Sequence, residues 1–109
     1  MIPETDIEKA VSWLRDNASK AAIARAERVY VEEYRKTIKA ELMAEHDGTL
    51  GAQEEYAYGH ARYKDHLAAI REAVRIDEEN RFLREAALAK INAWQTQSAN
   101  LRSEGKAYT

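Results

Sequence analysis

Between Ile7 and Glu45 the chain contains neither proline nor glycine, and the same holds from Ala61 to Arg102. Proline removes a backbone donor and glycine loses the most entropy on ordering, so long runs lacking both favour uninterrupted helix. Ala, Glu, Lys, Leu and Arg, all strong helix formers, fill most of the positions. At 1.5 Å per residue each run predicts a helix roughly 60 Å long. The first starts behind "PETD", where Thr5 or Asp6 can accept hydrogen bonds from free amide N–H groups and Glu8 adds negative charge to the first turn. It stops at "HDGTLGA", where Asp47, Gly48 and Gly51 supply turn residues. "AQEEYAYGHARY" reads as a short helical piece broken near Gly59, and "SEGKAYT" as a frayed tail.

The expectation is therefore all-α. One domain covers residues 1–109, with a helix over about 6–45, a connection over 46–60, a helix over about 61–102 and a tail over 103–109. Two runs of similar length predict a long antiparallel two-helix hairpin with the short helical piece at its connection. A register that places Trp13 opposite Trp94 also sets Ala18, Ala21 and Ala22 against Ala89, Ala86 and Glu85, and Arg28 against Glu79. Ile7, Val11, Leu14 and Ala18 keep a three-four spacing, and Ala22, Ala26, Tyr30, Tyr34, Ile38 and Leu42 then recur every four. In the last helix Tyr63, Leu67, Ile70 and Val74 begin a stripe that passes to Phe82, Leu83, Ala86 and Ala87. Such a drift predicts a stripe winding round the helix rather than a strict heptad seam. It leaves Trp13, Ile23, Val31, Ile76 and Leu88 partly outside, so a second copy is expected to cover them in a homodimeric helical bundle.

Charged residues make up 33% of the chain, yet the net charge is only −2, so no global field draws it to nucleic acid or to an acidic membrane. The absence of cysteine removes disulfides, thiolate catalysis and thiolate metal sites together. "MIPETDIEKA" lacks the basic start and apolar core of a secretion signal, and no apolar run approaches the ~18–20 residues that span a bilayer. The expected location is cytoplasmic, with no membrane partner.

Catalytic patterns are not found. There is no GxxxxGK[ST] or GxGxxG loop, and four glycines leave little to cradle a phosphate. His46, His60 and His66 have no glutamate three residues earlier and form no HExxH, so they read as solvated turn histidines, with no metal or other cofactor called for. "DEEN", Asp77 to Asn80, reads as a solvated helix face paired with Arg75, Arg81 and Arg84. The serines fall toward one end of the expected hairpin and the histidines toward the other, which separates any nucleophile from its base. The expectation is a protein that is not an enzyme.

Two surfaces draw notice. Arg25, Arg28, Arg35 and Lys39 form a basic row interrupted by Glu32, a pattern that can contact a phosphate backbone. Glu27, Glu33 and Glu41 lie close by, which favours a helix laced with surface ion pairs. The other surface is "INAWQTQSANL", Ile91 to Leu101, which carries no charge at all. Trp94, Gln95, Gln97, Asn100 and Leu101, joined by Trp13, make the neutral aromatic-and-amide surface that a protein interface prefers, because charges are costly to desolvate there.

"AERVYVEEYRKTIKAELMAE" followed by "INAWQTQSANLR" resembles a group of small helical proteins encoded by tailed phages and prophages, which tend to lie near recombination and single-strand-handling genes. The resemblance covers most of the chain and brings no catalytic residues. It implies an accessory to DNA recombination or replication, in the host cytoplasm, acting through contacts with an unidentified protein partner. Direct nucleic-acid binding through the basic row, and inhibition of a host defence or repair enzyme by acidic faces that mimic DNA, are the alternatives. In size the chain also resembles the secreted WXG-type hairpins, but its bend reads "HDGTLGA" rather than Trp-x-Gly. Far-ultraviolet circular dichroism should give an almost wholly helical spectrum; substantial strand signal would defeat the all-α assignment.

Overall fold

In the computed structural model, which describes residues 1–107, α1 spans Glu4–Ala44, α2 Leu50–Gly59 and α3 Ala61–Ala107. No strand occurs among the described residues. The start of α1 lies earlier than the sequence signals place it. Pro3 O accepts from Asp6 N at 3.0 Å, so Thr5 and Asp6 sit inside the first turn instead of capping it. Proline's fixed φ suits a helix entry, and Glu4 and Asp6 place negative charge where the free N–H groups point. At the other end α3 runs through Ala107, past the Ser103 at which fraying is expected. Only Gly105 in that stretch disfavours helix, and Lys106 in the last turn suits the negative end of the helix dipole. Tyr108 and Thr109 of the expected tail lie outside the described residues.

The connection is built from caps. α1 closes with Glu45 N donating to Leu42 O and His46 N to Met43 O. Gly48 then takes φ +136°, a conformation that a residue with a Cβ rarely adopts. Thr49 starts α2: its Oγ1 accepts from Ala52 N at 3.2 Å and its carbonyl from Gln53 N at 2.9 Å. His60 does two jobs at the break. Its N–H donates to Ala57 O at the end of α2, while its Nδ1 accepts from Arg62 N in the first turn of α3. Sequence signals found the break near Gly59 but not the histidine that makes it.

By its contacts the chain divides into two units, Ala22–Glu78 and the pairing of Met1–Ala21 with the chain from Glu79 onward. In the first of these, Ile38, Leu42, Ala57 and Tyr63 form a core drawn from all three helices, with Tyr34, Met43 and Tyr56 packed against it. Leu42 is fully buried. Contacts run in opposite order along α1 and α3: Glu41 pairs with Arg62, Val31 O accepts from His66, and Arg28 reaches Asp77. In the other unit Ile7 and Ala10 are buried, Leu14 is half-buried, and Ala87, Ile91 and Trp94 are half-buried along α3. Ile2 N donates to Gln97 Oε1 at 3.1 Å, so there too the N-terminal end of α1 meets the C-terminal end of α3.

The buried and half-buried rows keep Ile7, Leu14, Tyr34, Ile38, Leu42, Tyr63, Ile70, Val74 and Ala87 of the expected stripe and correct the rest. On α3 Tyr63, His66, Ile70, Ala73 and Asp77, then Asn80, Ala87, Ile91, Trp94 and Ser98, share one heptad frame, with Val74, Glu78, Arg81 and Gln97 half-buried beside it. On α1 the rows fall at Ile7, Ala10, Leu14 and Asn17, then at Ala24, Arg28, Val31 and Ile38. Val11, Ala18, Ala22, Ala26, Leu67 and Leu83 are exposed, and Tyr30 and Phe82 are 61% and 58% exposed. The frame does not wander after the apolar residues; it stays and takes in Asp77 and Asn80, 7% and 5% exposed, where a solvated face was expected. Polar groups can hold such positions because they are partnered: no buried side-chain N or O among the described residues lacks a hydrogen bond. Leu42→Ala should therefore cost about 2–5 kcal/mol, the usual toll of a cavity in a site that cannot collapse, measured by urea unfolding. A loss below about 0.5 kcal/mol would mean the three-helix core is not a closed one.

Candidate interaction surface

Within the unit that pairs the two chain ends, small residues leave a hollow of about 260 Å³. Ala10, Trp13, Leu83, Ala86 and Ala87 give it an apolar lining, and Asp6, Lys9 and Lys90 contribute both signs of charge. The alanines create the space: a methyl group on each side of the seam leaves the Trp13 indole half-exposed rather than covered. Leu83 is exposed beside it.

This position overturns the expected pairing of tryptophans. Trp13 lies with Ala86, Ala87 and Lys90, one heptad short of Trp94 on α3, and no ring contact joins the two indoles among the described residues. A slide of seven residues returns the same face of a helix, so both registers keep that face inward, and the match of large to large that favoured Trp94 gives way to an indole set against alanines. Arg28, expected against Glu79, meets its neighbours Asp77 and Glu78, within two residues of the expected position.

The uncharged stretch has a use the sequence did not reveal. Gln97 is half-buried, and its carbonyl oxygen ties down the N–H of Ile2. Met1, Gln97, Asn100 and Leu101 line a second hollow next to that bond. Trp94 is half-buried, whereas Gln95, Asn100 and Leu101 are exposed. Trp13 and Trp94, Gln97 and Leu101 thus belong to one unit but not to one contact cluster.

The basic row divides. Arg28 turns into the seam: its Nε donates to Glu32 Oε1 at 3.0 Å and its Nη1 to Glu78 Oε1 at 3.0 Å and Asp77 Oδ2 at 3.2 Å. Bonds to Glu32 first, then to Glu78 and Asp77, hold its guanidinium above even its ordinary high range. To meet a phosphate it would have to leave three carboxylates. Lys39 lies over the Tyr58 ring, 4.8 Å from its centre, and 3.7 Å from Glu54; the Tyr58 contact is the main cause of its raised pKa. Arg25 and Arg35 remain exposed.

The histidines are not solvated turn residues either. His46 stacks on Tyr56 at 4.8 Å and 12°, and His60 meets the same ring edge-on at 5.5 Å. Tyr56 O–H donates to Glu45, and its pKa is raised, first by desolvation and then by that carboxylate. His66 Nε2 lies 2.6 Å from Val31 O, which fixes it as the N–H tautomer's donor. No group of three or more His, Cys, Asp or Glu among the described residues is placed to hold a metal ion, and no helix among them is long and apolar enough to cross a membrane.

Comparison with protein-family models, with curated proteins and with solved structures finds no match to this chain. The roles of its residues rest on their own geometry. Arg28→Met should lower the urea midpoint, because Asp77 is then buried beside no counter-charge, and adding Asp77→Leu should recover much of the loss by removing the orphaned carboxylate. If Arg28→Met alone leaves the midpoint unchanged, the ion layer contributes nothing to holding the seam.

Proposed function

We propose that the chain forms one antiparallel hairpin that pairs with a second copy in a helical bundle, and that it works as a non-enzymatic interaction protein. The observation that carries this reading is the placement of large apolar side chains outside the seam. Ile23 is 69% exposed, Val29 and Tyr30 follow on α1, and Phe82, Leu83 and Leu88 do so on α3. The seam already holds Ile7, Leu14, Ile38, Leu42, Ile70 and Ile91 beside Ala10, Ala24, Ala73 and Ala87, so these outward side chains are apolar surface that a lone chain leaves in water. The neutral surface around Trp94, Gln95, Asn100 and Leu101 is suited to a protein partner, since little charge has to be desolvated on contact there.

The resemblance to phage-encoded helical proteins supports an accessory role in DNA recombination or replication, exercised through protein contacts. The inward turn of Arg28 takes away the centre of the basic row and with it the main support for direct contact along that row. Size-exclusion chromatography with light scattering should give twice the 12.5 kDa chain mass. Leu83→Glu and Ile23→Glu should each shift it toward the monomer with helicity unchanged, because a buried charge without a partner opposes association. Trp94→Ala should weaken capture of a partner protein by on the order of 2 kcal/mol, as loss of an aromatic anchor does. A wild-type chain that stays monomeric at every concentration tested would end the bundle reading.

A further inference from the structure

Near the connection, Arg35, Lys36 and Lys39 on α1 meet Tyr58 of α2 and Tyr63 of α3 round a further hollow of about 260 Å³. The break at Gly59 and His60 is what brings the tyrosines there, 5.2 Å apart and edge to face at 80°. No carboxylate lines this hollow. Every charged group facing it is a cation, and its polar groups are strong donors.

The charges are only partly compensated. Lys36 Nζ pairs with Glu33 at 3.0 Å and Lys39 Nζ stands 3.7 Å from Glu54. Arg35 makes no side-chain hydrogen bond or ion pair among the described residues, so the planar fork of its guanidinium is uncommitted. Three cations within about one helical turn repel one another; Glu33 and Glu54 offset Lys36 and Lys39 from outside the hollow, while Arg35, which also borders a hollow with Glu32 and Glu33, is held by no ion pair among the described residues. A tetrahedral oxyanion would relieve that repulsion and use the free donors of Arg35, Lys36 and Lys39 at once.

We propose that this hollow binds a phosphate group, with Arg35 as its principal ligand, Lys36 and Lys39 flanking it and the half-exposed Tyr58 as one wall. The site is separate from the Trp13 hollow and from the uncharged stretch, and it stands whether or not the chain pairs with a second copy. A free phosphate ion and the phosphate of a nucleotide share this chemistry.

The test is amide NMR of the full chain titrated with inorganic phosphate, and separately with adenosine monophosphate, at constant ionic strength balanced by chloride. Saturable shifts concentrated at Arg35, Lys36, Lys39, Tyr58 and Tyr63 are expected. Arg35→Gln should weaken binding on the order of fivefold, as loss of one exposed charge-assisted contact does, while Arg25→Gln leaves it unchanged. Arg35 is exposed, so the substitution should preserve the rest of the spectrum. Tighter binding of the nucleotide would identify a nucleotide phosphate as the ligand, and equal binding would identify the free ion. The proposal is overturned by the absence of saturable shifts, by shifts spread equally over Arg15, Lys20 and Arg102, or by an Arg35→Gln chain that binds phosphate as well as the wild type does.

Discussion

One guanidinium organises the unit between Ala22 and Glu78. Arg28 sits on the buried row of α1 and reaches Asp77 and Glu78 on α3, while Glu32 steadies it from the next turn of its own helix. A pair of this kind gives up much of its Coulomb gain to desolvation, so its main effect is on choice rather than on total stability. Alanine rows are permissive: Ala10, Ala24 and Ala73 would fit almost any small neighbour brought to them. A seven-residue slide keeps those rows facing each other but carries Arg28 away from Asp77, leaving a buried carboxylate alone. The ion layer thereby sets the register that the apolar residues leave open, as a single polar layer does in a coiled coil.

The heptad frame follows from the same arrangement. Two helices that pack over many turns keep their contact line only if the buried positions repeat every 3.5 residues on average. Once Asp77 is partnered and Ala24 and Ala73 permit close approach, that line runs straight through polar positions. The cost falls on the residues beside it. Ile23, Tyr30, Phe82 and Leu83 are turned outward although each carries more apolar surface than the alanines inside. These flanking side chains leave apolar surface exposed beside the seam.

The connection between α1 and α3 shows how few residues fix a local geometry. Gly48 supplies the one positive φ among the described residues, Thr49 caps α2, and His60 ends α2 and caps α3 with opposite faces of the same residue. These caps hold Tyr56, Tyr58 and Tyr63 in defined positions: Tyr56 between two imidazoles, and Tyr58 and Tyr63 beside the cations of α1. The residues before and after the break are thus as ordered by hydrogen bonding as the long helices are by packing.

The sequence by itself determined the helices. Runs free of proline and glycine leave no competitor to helix, and the glycine cluster at Asp47–Gly51 and the break at Gly59 are local events that depend on neighbours in the chain. It could not determine which faces met. Apolar periodicity pointed to Val11, Tyr30, Leu67 and Phe82, yet the structure buried Ala10 and Asp77 and half-buried Arg28 and His66 instead. Whether a charge can be buried depends on a counter-charge 49 residues away, between Arg28 and Asp77, and no window along the chain contains both. The same holds for the partner surfaces. Gln97 gains Ile2 from the far end of the chain as a hydrogen-bond partner, and Arg35 and Lys39 looked like two members of a row until Tyr58 and Tyr63 closed round them. Local propensity decides secondary structure because its energies are summed over neighbours; burial and pairing are decided by tertiary structure because their energies arise only between segments that folding has brought together.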